Sequence, residues 1–202
     1  YPIFSWKKRM GEYLDALEKE IDFVAERYKD RVLDTIYIGG GTPTTLEAEE
    51  LTRILNKLGK SFDLSHLKEL TVESGRADSI TYEKLLAMKK GGVTRISVNP
   101  QTMKQETLDL IGRKHTVEQV KEAFALAREA GFSNINMDLI LGLPGETAED
   151  VRNTLDVLKT SGIKLAIGSS SKNLQVRRGH DRVGWRYNCK PTARCRAGYP
   201  AL

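Results

Sequence analysis

Cysteine is nearly missing from this chain: Cys189 and Cys195 are the only two among 202 residues. Two thiols exclude a disulfide framework, and no metal cluster can be built from them alone. Histidine is scarce as well. His66, His115 and His180 are the three present, and none has a second histidine or an acid at metal-ligand spacing on a helix, so solvated or capping roles are expected for all of them. No GxSxG signature occurs and no cysteine lies before Cys189, which argues against acyl transfer through a serine or cysteine nucleophile. No run approaches the ~18 apolar residues of a membrane span, and no charged segment followed by an apolar stretch marks a secretory signal. A cytoplasmic setting without a membrane partner is expected. The first residue is Tyr1 rather than Met, which suggests a piece cut from something longer.

An excess of positive charge is also lacking over most of the length. The whole chain carries 32 Lys plus Arg against 27 Asp plus Glu, a net +5. Residues 168–202 hold eight basic side chains and one acid, Asp181, or +7, which leaves residues 1–167 with 24 basic and 26 acidic side chains, or −2. A positive field over the body is therefore excluded, and the basic total is no argument for nucleic-acid binding by it. The Arg-rich end has no heptads, aromatic interleaving or zinc spacing, so disorder is favoured there over a nucleic-acid arm. At 40% apolar and 29% charged residues, the chain has the composition of a globular protein with one sizeable core.

What is present is an alternation of two hydrophobic periods. Met10, Tyr13, Leu14, Leu17, Ile21, Val24 and Tyr28 recur at three and four, which predicts an amphipathic helix over 6–28. The run Thr35-Ile36-Tyr37-Ile38 predicts a strand closed by Gly39-Gly40-Gly41. Thr44-x-x-Glu47 has the pattern of a capping box opening a helix that carries Leu51, Ile54, Leu55 and Leu58. Strands are predicted at 70–73, 95–98 and 134–141 and from 164 onwards. Helices are predicted at 81–90, from Thr116-x-x-Gln119 to Ala130-Gly131, and from Thr147-x-x-Asp150 to just before Gly162. Such alternation implies right-handed βαβ crossovers and a parallel sheet. A complete eight-fold barrel takes ~250 residues, so a partial barrel or an open doubly wound sheet is expected. Either would place a ligand at the carboxyl ends of the strands.

Residues with chemical potential fall on that edge. Gly39-Gly40-Gly41-Thr42-Pro43 follows the first strand, Glu73 ends the second, Asn99-Pro100-Gln101 follows the third, and Asp138 with Gly142-Leu143-Pro144-Gly145 marks the fourth. The triple glycine is neither a Walker loop nor a dinucleotide fingerprint, so phosphate cradling is disfavoured. It can serve as a tight turn, or let backbone amides and carbonyls approach a ligand unobstructed. Glu73 and Asp138 stand in apolar strands expected to be covered on both faces, where an unpaired carboxylate is costly. Each could be satisfied by backbone amides, Arg95 or Arg113. Two acids, an amide and a glycine loop on one edge point instead to a polar ligand bearing amino and hydroxyl groups.

Taken in order, Tyr37-Ile38-Gly39-Gly40-Gly41-Thr42-Pro43-Thr44, Thr71-Val72-Glu73, Arg95-Ile96-Ser97-Val98-Asn99-Pro100-Gln101-Thr102-Met103, Ile111-Gly112-Arg113 and Asn136-Met137-Asp138-Leu139-Ile140-Leu141-Gly142-Leu143-Pro144-Gly145-Glu146-Thr147 closely resemble radical S-adenosylmethionine enzymes of the oxygen-independent coproporphyrinogen III oxidase family. The Asn-Pro-Gln-Thr-Met variant is most similar to its HemZ-type dehydrogenase branch. The resemblance implies an α/β fold, a partial (β/α) barrel with parallel strands truncated at both ends. It also implies a core at 1–167, followed by a basic, disordered or non-native tail at 168–202. The family's cofactors are a four-iron four-sulfur (4Fe-4S) cluster and S-adenosylmethionine. By motif, Gly40, Gly41 and Thr42 would meet the methionyl amino group through the backbone, with Glu73 as its acid. Arg113 would pair with the methionyl carboxylate, and Gln101 and Asp138 would hold the ribose hydroxyls. The implied reaction is oxidative decarboxylation of coproporphyrinogen III propionates to vinyl groups, with a porphyrinogen substrate and an electron donor as partners. The family's CxxxCxxC cluster motif is absent, so the chain by itself is expected to be inactive. A nucleoside- or haem-binding relative without catalysis, or a radical enzyme with another substrate, are the alternatives.

Overall fold

The computed structural model describes residues 3–160 and 166–170. Five strands form one parallel sheet: β1 (Thr35–Ile38), β2 (Glu69–Glu73), β3 (Arg95–Ser97), β4 (Asn134–Leu141) and β5 (Ala166–Ser170), in the order β1-β2-β3-β4-β5. That order separates the two expected architectures. A doubly wound sheet reverses its strand order at a switch point, whereas here each strand pairs with its neighbour in sequence, from Ile38 beside Val72 to Leu141 beside Ser170. The fold is α/β, an open parallel sheet with the progression of a partial (β/α) barrel.

The helices are α1 (Ile3–Arg27), α2 (Ala48–Ser61), α3 (Tyr82–Lys90), α4 (Gln105–Leu110), α5 (Val117–Glu129) and α6 (Ala148–Thr160). Their starts follow local chemistry. Thr116 caps α5 by accepting from the Gln119 amide while Gln119 accepts from the Thr116 amide, at 3.2 and 2.9 Å. At α6 the Asp150 carboxylate accepts from the Thr147 amide at 2.8 Å. The Thr44 capping box does not form. Pro43 starts a 3-10 turn over Pro43–Thr45, Glu47 becomes the cap of α2, and its amide is bonded by Glu50 at 2.8 Å. Thr44 is buried instead, its hydroxyl 2.6 Å from that of Ser79. The short helix α4 has no counterpart among the sequence expectations.

One face of the sheet carries the core. Leu70 and Val72, Ile96 and Val98, and Ile135, Met137 and Leu139 pack against Leu51 and Leu55 of α2, Leu85 and Met88 of α3, Phe124 and Ala127 of α5 and Leu158 of α6. Each such side chain taken from water contributes roughly 1.5–3 kcal/mol. Helix α1 adds a smaller layer, Met10 and Leu14 against Ile54 of α2. It is tied on its flank by Arg53, which donates to Glu18 at 2.8 Å.

Cover on both faces was the expectation for these strands, and the structure corrects it. The alternate residues Thr71, Glu73, Arg95, Ser97, Asn136 and Asp138 form a polar inner face around a cavity. His115 departs from expectation as well. It is 2% exposed, neither solvated nor the cap of α5, and its Nε2 donates to Pro100 O at 3.4 Å. Strand β5 carries the sheet to Ser170, past the boundary expected after residue 167. Residues 171–202, with both cysteines, His180 and the eight basic side chains of the Arg-rich end, lie outside the described residues. Among the described residues no helix is long and apolar enough to cross a membrane.

Candidate functional site

The strand period of two builds the site. Because successive side chains point to opposite faces, the residues that flank each core position face inward together. They enclose a cavity of about 400 Å³, lined by Tyr37, Thr71, Glu73, Arg95, Ser97, Asn99, Gln101, Asn136, Asp138 and Leu139. That volume lies within the ~300–1,000 Å³ of small-molecule sites. Three of the sequence-predicted residues, Glu73, Gln101 and Asp138, line it.

The others stand elsewhere. Gly40 and Gly41 are exposed in the turn after β1, with Thr42 half-buried beyond them. Gly40 has φ +96°, a conformation that excludes most side chains. Arg113 follows α4, its amide bonded to Leu108 O at 2.9 Å. It is half-buried and not among the residues lining the cavity. The glycine that approaches the acids is Gly39: a Cβ there would come 3.0 Å from a Glu73 carboxylate oxygen and 2.5 Å from the Tyr37 ring.

Gln101 is held in an unusual conformation. Its φ of 68° is the sole positive value outside glycine among the described residues, a backbone state costing roughly 1–2 kcal/mol for an ordinary residue. Two hydrogen bonds to β4 enforce it. The Gln101 amide donates to Asp138 O at 3.1 Å, and the Ile140 amide donates to Gln101 O at 2.9 Å. The following loop is fastened to the loop after β4, where Lys104 Nζ donates to Gly145 O at 3.1 Å and to Asp150 at 3.0 Å. Thr102 donates a hydrogen bond to Glu146 across the same gap. Backbone strain stabilised in this way is a mark of ligand-facing positions.

Charge in the cavity is concentrated and poorly solvated. Burial pushes the Asp138 carboxyl above the ordinary range. The Asn136 hydrogen bond opposes that shift, the neighbouring charge of Glu73 adds to it, and Arg95 offsets part. Tyr37 Oη donates to Glu73 Oε2 at 3.4 Å, and burial, with the charges of Glu73 and Asp138, raises its pKa as well. Ser97 Oγ and Asn99 Oδ1 are buried without any hydrogen-bond partner. Unsatisfied buried polar atoms cost about 1–3 kcal/mol each, so their placement on a cavity wall favours a polar ligand that completes them. Sequence reasoning did not single out Tyr37, Ser97 or Asn136 for the site. The signal was available in their parity with Glu73 and Asp138 along the strands.

Comparison with known proteins identifies relatives of this fold. The profile of the Radical SAM superfamily matches residues 4–158. The oxygen-independent coproporphyrinogen-III oxidase-like protein HemZ of Bacillus subtilis (strain 168) is 46% identical over 158 residues, 77% of this chain and 32% of that protein. The heme chaperone HemW of the same organism is 38% identical over 154 residues, 76% of this chain and 40% of the relative. Coproporphyrinogen III oxidase (HemN) from Escherichia coli, a radical SAM enzyme, superposes with a TM-score of 0.73 at 30% identity, over 79% of this chain and 37% of that one. The chain thus spans about a third of the length of these relatives.

Proposed function

The chain belongs to the radical SAM superfamily, and on that premise we propose that its inner face binds S-adenosylmethionine as part of a porphyrinogen-oxidising enzyme of the coproporphyrinogen III oxidase type. The observation that carries this reading is the donor set of the cavity. Glu73 and Asp138 are acceptors for an ammonium and for hydroxyls, Gln101 offers both an acceptor and donors, and Ser97 Oγ and Asn99 Oδ1 lack partners. A zwitterionic nucleoside bearing a diol supplies complementary groups. Glu73 takes the methionyl ammonium, and Gln101 and Asp138 take the ribose hydroxyls. The backbone of exposed Gly40 and Gly41 and of half-buried Thr42 adds contacts to the methionyl end. Arg113 does not line the cavity, and the motif alone assigns it the methionyl carboxylate.

When bound with a reduced four-iron four-sulfur cluster, S-adenosylmethionine supplies one-electron hydrogen abstraction, the hard chemistry that side chains do not provide. This chain's residues orient it and keep water from the inner face. No group of three or more His, Cys, Asp or Glu side chains able to hold a metal ion occurs among the described residues. The described residues therefore offer no ligand set for the cluster. In the full reaction a propionate side chain of coproporphyrinogen III would lose carbon dioxide and become a vinyl group, with an electron donor serving the cluster in a cytoplasmic setting. The 46% identity to the HemZ protein supports this substrate class.

A second reading is favoured by the 38% identity to a heme chaperone: a relative that holds haem without making it. Isothermal titration of the chain after reconstitution with iron and sulfide separates the two. Saturable binding of S-adenosylmethionine without its cleavage is expected. Cleavage would show that the chain builds a cluster after all, and stoichiometric haem binding with no nucleoside binding would favour the chaperone-like reading.

A further inference from the structure

Four polar side chains run in a line across the inner face, from the amino side of the sheet to Asp138. Glu69 accepts from Arg95 Nη1 at 3.2 Å, Arg95 Nη2 donates to Asn136 Oδ1 at 3.1 Å, and Asn136 Nδ2 donates to Asp138 Oδ1 at 2.8 Å. The direction of every bond is forced. A guanidinium has donors only, so the Asn136 atom facing Arg95 must be its oxygen, and the amide nitrogen is left to face Asp138. We infer that Arg95 and Asn136 are positioning residues for the nucleoside site: they fix the Asp138 carboxylate so that one oxygen is held from behind and the other is presented to a ribose hydroxyl. This inference rests on the reading of the cavity as an S-adenosylmethionine site.

Without the relay, two carboxylates and few donors would share a poorly solvated face, and Asp138 would take up a proton or rotate away. The groups that face it are Glu73 from β2, Arg95 from β3, Tyr37 from β1 and Asn136 from its own strand, with Glu69 behind Arg95. Arg95 is the cation among them, and Asn136 carries its effect one step nearer to the ligand.

Asn136→Asp reverses one bond while keeping the shape. The new carboxylate still accepts from Arg95 but offers an oxygen where Asp138 needs a donor. In isothermal titration with S-adenosylmethionine, the variant is expected to bind at least about tenfold more weakly at about pH 8, the effect of a lost bond to a charged partner. That deficit should shrink towards about pH 5.5, as the facing carboxyls come to share a proton. A deficit equal at both pH values, or none, would overturn the inference. Should the variant fail to fold by circular dichroism, Arg95→Gln carries the test. It is expected to bind about threefold more weakly, with the acid limb of binding moved to higher pH because the cation no longer holds Asp138 down. Carboxyl carbon-13 NMR of the ligand-free chain gives a readout that needs no nucleoside. Asp138 should titrate higher in Arg95→Gln than in the parent, and an unmoved titration overturns the relay. A moved titration in a chain that binds no S-adenosylmethionine would leave the relay standing and sink the reading of the ligand.

Discussion

The two faces of the sheet are built from the same strands, one residue out of step, and they have opposite chemistry. Outward from β2, β3 and β4 point Val72, Ile96, Val98, Ile135 and Met137, none more than 4% exposed. Inward point Thr71, Glu73, Arg95, Ser97, Asn136 and Asp138. Parallel sheets are ordinarily apolar on both faces because helices cover both. Here the second face holds three acids, Glu69, Glu73 and Asp138, a cation and unpartnered acceptors, a composition that lowers stability unless something polar completes it. Stability and ligand binding are therefore separated by residue parity: odd and even positions of one strand answer to different demands.

Neighbouring substitutions on β3 break that comparison most sharply. Ile96→Ala removes a fully buried side chain from the helix-covered face and is expected to cost about 2–5 kcal/mol in chemical denaturation. Ser97→Ala, one residue on, deletes a hydroxyl that has no partner and should leave stability unchanged or slightly raised. Equal losses at the two positions would show that both faces are core.

The next effect in size concerns the acid in the cavity. Its pKa is raised in the folded state, chiefly by burial. The native chain therefore holds its proton to higher pH than the unfolded chain, and stability falls as pH rises from about 3.9, the unfolded value, through the folded one. Asp138→Asn should remove that penalty and melt higher than the parent at neutral pH. It should also weaken S-adenosylmethionine binding about tenfold, the scale of a charge-assisted bond to a hydroxyl. A variant that melts higher and binds as well as the parent would place the ligand elsewhere. The opposite signs of the two effects distinguish an inner-face residue from a core residue, which loses both together.

Much of this organisation is legible in the amino-acid sequence. Strand β4 begins and ends where its pattern predicts, and the Thr116–Gln119 and Thr147–Asp150 pairs mark real helix starts. Glu73, Gln101 and Asp138 converge because Glu73 ends β2, Gln101 follows β3, and Asp138 lies within β4 on the face they share. What escapes has physical reasons. Pro43 supplies the first turn of a 3-10 segment, so the helix signal at Thr44 is displaced by three residues to Glu47. With six residues, α4 is too short to show a period. Asn136 is hidden because an amide in an apolar strand says nothing of direction until the sheet assigns it a common face with Arg95, which the sequence already offers as a partner for the acids. His115 misleads for the reverse reason: its place just before a helix cap suggests solvent, while the chain tucks it under the turn that carries Gln101.

The smallest expected effect is a change of slope at that histidine. Burial is the largest influence on His115 and lowers its pKa; the Pro100 carbonyl acts against this, and the charge of Arg113 adds to it. A neutral ring therefore belongs to the folded state. Its contribution is whole above about pH 6.5, the unfolded value, and is lost as pH falls through the lower folded one, because the unfolded chain then binds the extra proton. Replacement by glutamine, which keeps an N–H for Pro100 and cannot be protonated, should lower stability modestly at about pH 7.5 and close the gap with the parent by about pH 5.5. Denaturant midpoints at the two pH values measure it. Parallel curves would show that His115 does not change its charge on unfolding, and the polar support beneath the strained Gln101 would then be a matter of packing alone.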